Sequence, residues 1–132
     1  MSLARKMHHV CLRCVGEEEM NKAIDFYTNL IGLKLIRRWG EGTGAGCMMD
    51  AGNAIVEMFA DAEPGRTIGP VDHFAFEVDD VDKCASALRE AGYEITSGPA
   101  DMDVPAKPEP FSLRMVFCRG PIGESIEFYH EK

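Results

Sequence analysis

No stretch of this chain approaches the ~20 consecutive apolar residues that cross a bilayer, so no membrane span is expected. The opening residues Met1–Lys6 lack the apolar core of a secretory signal, which makes the cytoplasm the expected location. Positive charge is scarce. Fourteen Lys and Arg stand against twenty-two Asp and Glu, giving a net charge of −8, and the basic residues form no cluster. Binding to nucleic acid needs a basic surface that displaces counterions from phosphates, so that class is excluded. The five cysteines are an odd number, ill suited to a closed disulfide framework, and reduced packing thiols are expected. Cys11-x-x-Cys14 lies in a segment that reads as a strand. Residues three apart on a strand face opposite ways, so the two sulfurs are not expected to share a metal. Gly42-x-Gly44-x-Gly46 joins two strands rather than opening a helix, which argues against a phosphate loop.

What is present is an ordinary globular composition, 45% hydrophobic and 27% charged, in a length of 132 residues that suits a single domain. Within it the same plan occurs twice, over about 7–60 and about 71–130. The first half opens on a strand, His9-Val10-Cys11-Leu12-Arg13-Cys14. A helix face follows through Met20, Ala23, Ile24, Tyr27, Leu30 and Ile31, and Gly32 ends it. The second half opens on His73-Phe74-Ala75-Phe76-Glu77-Val78. Asp79 or Asp80 caps a helix with apolar face Val81, Cys84, Ala85, Leu88 and Ala91, and Gly92 ends that one. His9 to Gly32 spans 23 residues and His73 to Gly92 spans 19, a difference assigned to a loop at Gly16–Met20.

Strands follow each glycine: 33–39, 47–50 and 54–59 in the first half, and 93–96, 113–118 and 125–129 in the second. Asp50-Ala51-Gly52-Asn53 reads as a hairpin turn. Residues 97–112 hold Pro99, Pro105, Pro108 and Pro110, and are expected to form a long loop of the kind that covers a substrate. Residues 61–71 read as the linker between halves. The fold class is therefore α+β: two βαβββ modules whose curved mixed sheets bury one face under helices and leave the other around a cavity.

Strand parity singles out four residues. Val10, Leu12 and Cys14 oppose His9, Cys11 and Arg13; Phe74, Phe76 and Val78 oppose His73, Ala75 and Glu77. In the closing strands, Val56 and Met58 oppose Glu57, and Ile126 and Phe128 oppose Glu127. One face is apolar each time, while the other carries a His near the start of a first strand or a Glu within a last one. A rough twofold between the halves matches His9 with His73 and Glu57 with Glu127. Two imidazoles and two carboxylates suit one divalent ion of intermediate hardness: Ni, Zn, Co, Mn or ferrous iron. Calcium and magnesium prefer more oxygen. Arg13 follows His9 on the same face, about 13 Å along the strand, and is placed either to grip a substrate carboxylate or to form a salt bridge. His8, on the face opposite His9, and His130, near the end, are expected at the surface.

The stretches His9-Val10-Cys11-Leu12-Arg13, Phe26-Tyr27-Thr28-Asn29-Leu30-Ile31-Gly32-Leu33, Ile55-Val56-Glu57, Asp72-His73-Phe74 and Gly123-Glu124-Ser125-Ile126-Glu127 resemble the vicinal oxygen chelate superfamily. Within it they are most similar to bacterial glyoxalase I. The resemblance covers nearly the whole chain. It implies paired modules around a metal-binding cavity, a homodimer, and one divalent ion held by His9, Glu57, His73 and Glu127. It also implies a lyase or isomerase acting on the hemithioacetal of a 2-oxoaldehyde and a thiol such as glutathione, through an enediolate. On the same likeness Glu127 is the proton-moving base, Glu57 serves the other face, and Arg13 grips the thiol part of a small-molecule substrate. Pro121-Ile122-Gly123 stands where the family usually has Pro-Asp-Gly, so the thiol is left open. The alternatives are an acyl-thioester epimerase with the same metal site, an extradiol dioxygenase on two His and one Glu, and a drug-sequestering resistance protein without catalysis.

Overall fold

A computed structural model describes residues 7–65, 71, 73–106 and 108–132. The chain divides into two compact units, Met1–Thr67 and Ile68–Lys132.

The first unit begins with β1 (His9–Arg13), an edge strand of a four-stranded sheet. Helix α1 (Gly16–Asp25) starts four residues earlier than its apolar spacing marks, because Gly16–Met20 is helical rather than a loop. Glu17, Glu18 and Glu19 fill its first turn, where the positive end of the helix dipole favours acid. The Glu19 carboxylate also reaches back to accept from the Val15 amide, half of a capping box. The helix then widens into a π-helical turn, Phe26–Ile31, that buries Phe26 and Tyr27. Gly32 closes it at φ 96°, a conformation open to a residue without Cβ. This longer helical run, not a loop, absorbs the length difference between the halves.

Strands β2 (Lys34–Trp39), β3 (Gly46–Asp50) and β4 (Ile55–Phe59) complete the sheet in the order β1-β4-β3-β2. β1 and β4 run parallel and the other pairs antiparallel. The hairpin at 50–53 forms as its sequence predicts: the Ala51 amide donates to Ala54 O at 2.9 Å and the Gly52 amide to Asp50 Oδ1 at 2.8 Å. Met20, Ala23, Ile24 and Tyr27 from the helical segment join Cys14, Cys47, Met49, Val56 and Met58 in the core of this unit.

The second unit repeats the plan with β5 (Phe74–Glu77), α2 (Val81–Glu90), β6 (Ile95–Val104), β7 (Phe111–Arg119) and β8 (Ser125–Glu131), in the order β5-β8-β7-β6. Of the two candidate caps, Asp80 is the one used. Its side chain accepts from the Lys83 amide at 3.0 Å. Val81, Ala85 and Leu88 form its core with Val116, Cys118, Ile126 and Phe128, and Phe76 stacks on Phe128.

The long proline loop does not exist as such. β6 and β7 run far into residues 97–112 and leave only 105–110 between them. Pro99 is tolerated because β6 is the outer strand of the sheet and its register shifts between Ser97 and Ala100, so no ladder amide is required there. Pro105, Pro108 and Pro110 keep their turn role. They line an open hollow with Phe111, Glu131 and Lys132 that includes neither His73 nor Glu127. A covering loop is thus replaced by a paired hairpin.

Two four-stranded mixed sheets with one α-helix each are the α+β architecture expected. The linker expected at 61–71 falls partly outside the described residues; within them, Asp61 pairs with Val15 as an isolated bridge.

Candidate metal centre

In the first unit, the parallel pairing of β1 with β4 sets Cys11 opposite Glu57, with His9 one step down the same face. His9 Nε2 lies 3.6 Å from Glu57 Oε1. In the second unit the same parallel pairing sets Ala75 opposite Glu127, and His73 Nε2 lies 3.7 Å from Glu127 Oε1. The two pairs are equivalent in sequence, strand and distance. Each separation is within a few tenths of an ångström of the roughly 3.0–3.4 Å between two ligands that sit about 2.1 Å from one ion.

Glu57 is 8% exposed, the one buried charged side chain among the described residues. Burying a carboxylate is costly unless a partner compensates it. Its neighbours among the described residues are the His9 imidazole and, across the strand pair, Cys11, whose thiol donates to Leu12 O at 3.9 Å. Neither is a permanent cation. Burial first, then the nearby Glu57 charge, push the Cys11 thiol up to about 11. It is therefore a neutral donor at neutral pH, not a thiolate ligand. An imidazole nitrogen and a carboxylate oxygen at this separation are donors of the kind that a divalent ion of intermediate hardness takes.

Among the described residues no cluster of three or more His, Cys, Asp and Glu side chains forms. The structure thus brings together His9 with Glu57, and His73 with Glu127, each pair within its own unit. Around His73, the Phe117 ring packs edge-on at 5.0 Å between centroids. His8 departs from its expected orientation. It precedes β1 and escapes strand alternation, so its Nδ1 lies 2.9 Å from His9 Nδ1. His130 is exposed and donates from Nδ1 to Val78 O at 3.0 Å.

Arg13 takes the salt bridge. Its Nε donates to Asp61 Oδ1 at 3.0 Å and a second nitrogen to Asp61 O at 3.2 Å. That contact holds the Asp61 carboxyl below its ordinary range. The remaining cysteines form no disulfide: Cys14, Cys47 and Cys118 are buried, and burial pushes Cys47 to about 11 and Cys118 to about 12. Cys14 is buried and Cys11 exposed, as strand parity requires. The glycine-rich segment forms a 3-10 turn whose Gly42 amide donates to Glu17 Oε2 at 2.9 Å, so a carboxylate already occupies it.

Parity alone missed the lateral neighbours on the first sheet. Register across β2, β3 and β4 puts Arg37, Met48, Glu57 and Cys11 in one row, and Trp39, Gly46, Phe59 and Arg13 in the next. The signal was present in the alternation of Arg37 and Trp39, but the shift in β2 between Leu35 and Arg37 hides which face they share with Glu57.

A family model described as the Glyoxalase/Bleomycin resistance protein/Dioxygenase superfamily matches residues 6–128. The chain belongs to this superfamily. Solved structures of similar fold include a glyoxalase family protein from Bacillus anthracis, at 23% identity and TM-score 0.69 over 100% of this chain and 99% of that one. TnmS3, an antibiotic binding protein from Streptomyces sp. CB03234, aligns at 19% identity and TM-score 0.72 over the full length of both chains. A glyoxalase/bleomycin resistance protein/dioxygenase from Nocardioides aligns at 21% identity and TM-score 0.70 over 99% of this chain and 86% of that one. Among curated proteins no sequence matches significantly. The glyoxalase superfamily holds enzymes and resistance proteins alike, and this member has no helix, among the described residues, long and apolar enough to cross a membrane.

Proposed function

We propose that this member of the glyoxalase superfamily is a metal-dependent lyase or isomerase of the glyoxalase I kind. In this reading His9, Glu57, His73 and Glu127 hold one divalent ion, of nickel, zinc, cobalt, manganese or iron, at a site completed within a homodimer. The observation that carries the reading is the buried Glu57 carboxylate beside His9, with the same His–Glu spacing at His73 and Glu127. When bound, the ion supplies Lewis-acid polarisation of a substrate carbonyl.

The chain's own residues do the rest. Glu127, 20% exposed at its side chain, is open to a substrate, takes the proton from the carbon beside the carbonyl and delivers that proton to the adjacent carbon. Glu57, at 10%, is more shielded and serves the other face of the substrate. His9 and His73 each offer the ion a ring nitrogen. Arg13 contributes charge at the edge of the site while Asp61 restrains it, and releases that partner to grip a substrate anion.

The test is metal analysis of the purified, reconstituted protein, with an assay on methylglyoxal and glutathione. One equivalent of ion and turnover of the hemithioacetal are expected. Glu127→Gln should lower kcat by about 10²–10⁴, the usual contribution of a positioned base. Tight metal without turnover on this substrate would point instead to the acyl-thioester epimerase. Failure to take up any ion would overturn the reading.

A further inference from the structure

Three arginines lie on or beside the first sheet, and two are already engaged. Arg13 is held by Asp61, and Arg38 points toward α1, where it donates to Asn21 Oδ1 at 2.6 Å and Glu17 Oε1 at 3.3 Å. Arg37 points the other way, onto the face of Glu57. Its one contact there among the described residues is with the Met48 sulfur at 4.0 Å, and no carboxylate pairs with it. Two strand spacings of about 4.8 Å separate its backbone from that of Glu57, with Met48 between them.

Beside Arg37 on the same face is an aromatic pair. Trp39 and Phe59 meet edge-on with ring centroids 5.9 Å apart. The indole lies against Gly46, where an added Cβ would run into the ring, so glycine is what seats it. Trp39 and Phe59 are each half-buried, which leaves part of the ring surface open.

We infer that Arg37 and Trp39 form the specificity subsite of this centre, taking an organic acid whose carboxylate pairs with Arg37 while a flat apolar group lies on Trp39 and Phe59. The guanidinium offers two parallel donors to a carboxylate. The indole face offers stacking and no charge. Arg37 and Trp39 are two residues apart, roughly 6.8 Å along the strand, which suits a carboxylate two or three bonds from a ring. Met48, apolar and polarisable, floors the gap toward Glu57. This assignment rests on the proposed metal-dependent reaction for its meaning but not for its test.

Trp39 is the sole tryptophan, so its emission reports the subsite directly. The full chain, treated with chelator, is titrated with 3-(4-nitrophenyl)propanoate and with the corresponding neutral amide, and quenching is followed. The acid should bind at least about tenfold tighter than the amide, about 1.4 kcal/mol. Arg37→Gln should bring the two ligands level while quenching persists, and Arg38→Gln, on the opposite face of β2, should leave the preference intact. Circular dichroism of each variant checks the fold, and Arg37→Met replaces Arg37→Gln if that variant unfolds. Equal binding of acid and amide by the unaltered protein, or a preference that survives the loss of Arg37, would overturn the assignment. Metal content and turnover, measured separately, test the parent reading, so either can fail alone.

Discussion

A buried acid asks for a cation, and Glu57 is the residue at which that demand is most acute. His9, with its Nε2 3.6 Å from Glu57 Oε1, and Cys11, opposite on β1, are its neighbours, and neither is a permanent cation that balances a buried charge. Glu57→Gln should therefore reduce affinity for the ion by more than the roughly 10–100-fold that loss of an outer partner costs. Equilibrium dialysis against zinc would read this. Because the variant relieves the burial of charge, its stability without metal should equal or exceed that of the parent. The two His–Glu pairs were legible from the alternation of side chains on short strands, since each residue was placed on the polar face of a strand whose other face is apolar. The lateral neighbours were not. Cys11 meets Glu57, and Asp61 meets Arg13, through lateral register, which alternation along one strand does not contain.

At the level of elements, α2 is fixed by local chemistry that the sequence displays openly. Asp80 caps it, Val81, Ala85 and Leu88 bury one stripe, and Gly92 ends it. Asp80→Ala should cost about 1 kcal/mol in urea unfolding, by leaving a first-turn amide without its acceptor. The prolines of 97–112 mislead because proline forbids a central strand but not an outer one, and nothing local reveals that β6 lies at an edge. Arg114 ties these elements together. It donates to both Asp82 oxygens, at 2.8 and 2.9 Å, and to Asp101 at 3.2 Å, while Lys132 also reaches Asp101 at 2.8 Å. These contacts lower the Asp82 and Asp101 carboxyls from their ordinary value of 3.8. A carboxyl lowered on folding gives its stabilisation above the unfolded value and loses it as pH falls through the folded one. Stability should thus decline below about pH 4, and Arg114→Gln should flatten that decline. Thermal melts of both proteins between neutral and strongly acid pH would show it; parallel curves would contradict the role given to this network. All these groups are solvent-exposed, so the effect is modest and weakens with salt.

Across the whole molecule, the two units repeat one topology: a first strand parallel to the last, with the two remaining strands added outward. That repeat was readable because each half carries the same order of strand, helix, glycine and strands. Its chemical content is that every unit offers one imidazole and one carboxylate about 3.6–3.7 Å apart, half of the proposed ligand set. Two ligands alone bind a divalent ion weakly; two halves acting on one ion bind it well. Stoichiometry is therefore the property that separates a joined centre from two independent pairs. The proposed homodimer should sediment at twice the 14.6 kDa of the chain when loaded.

The most direct measurement is a calorimetric titration of the chelator-stripped protein with zinc, repeated on His9→Ala and His73→Ala. One high-affinity ion per chain is expected, and either single substitution should weaken that same ion strongly. Two weak ions per chain, each abolished by only one of the substitutions, would contradict a shared centre.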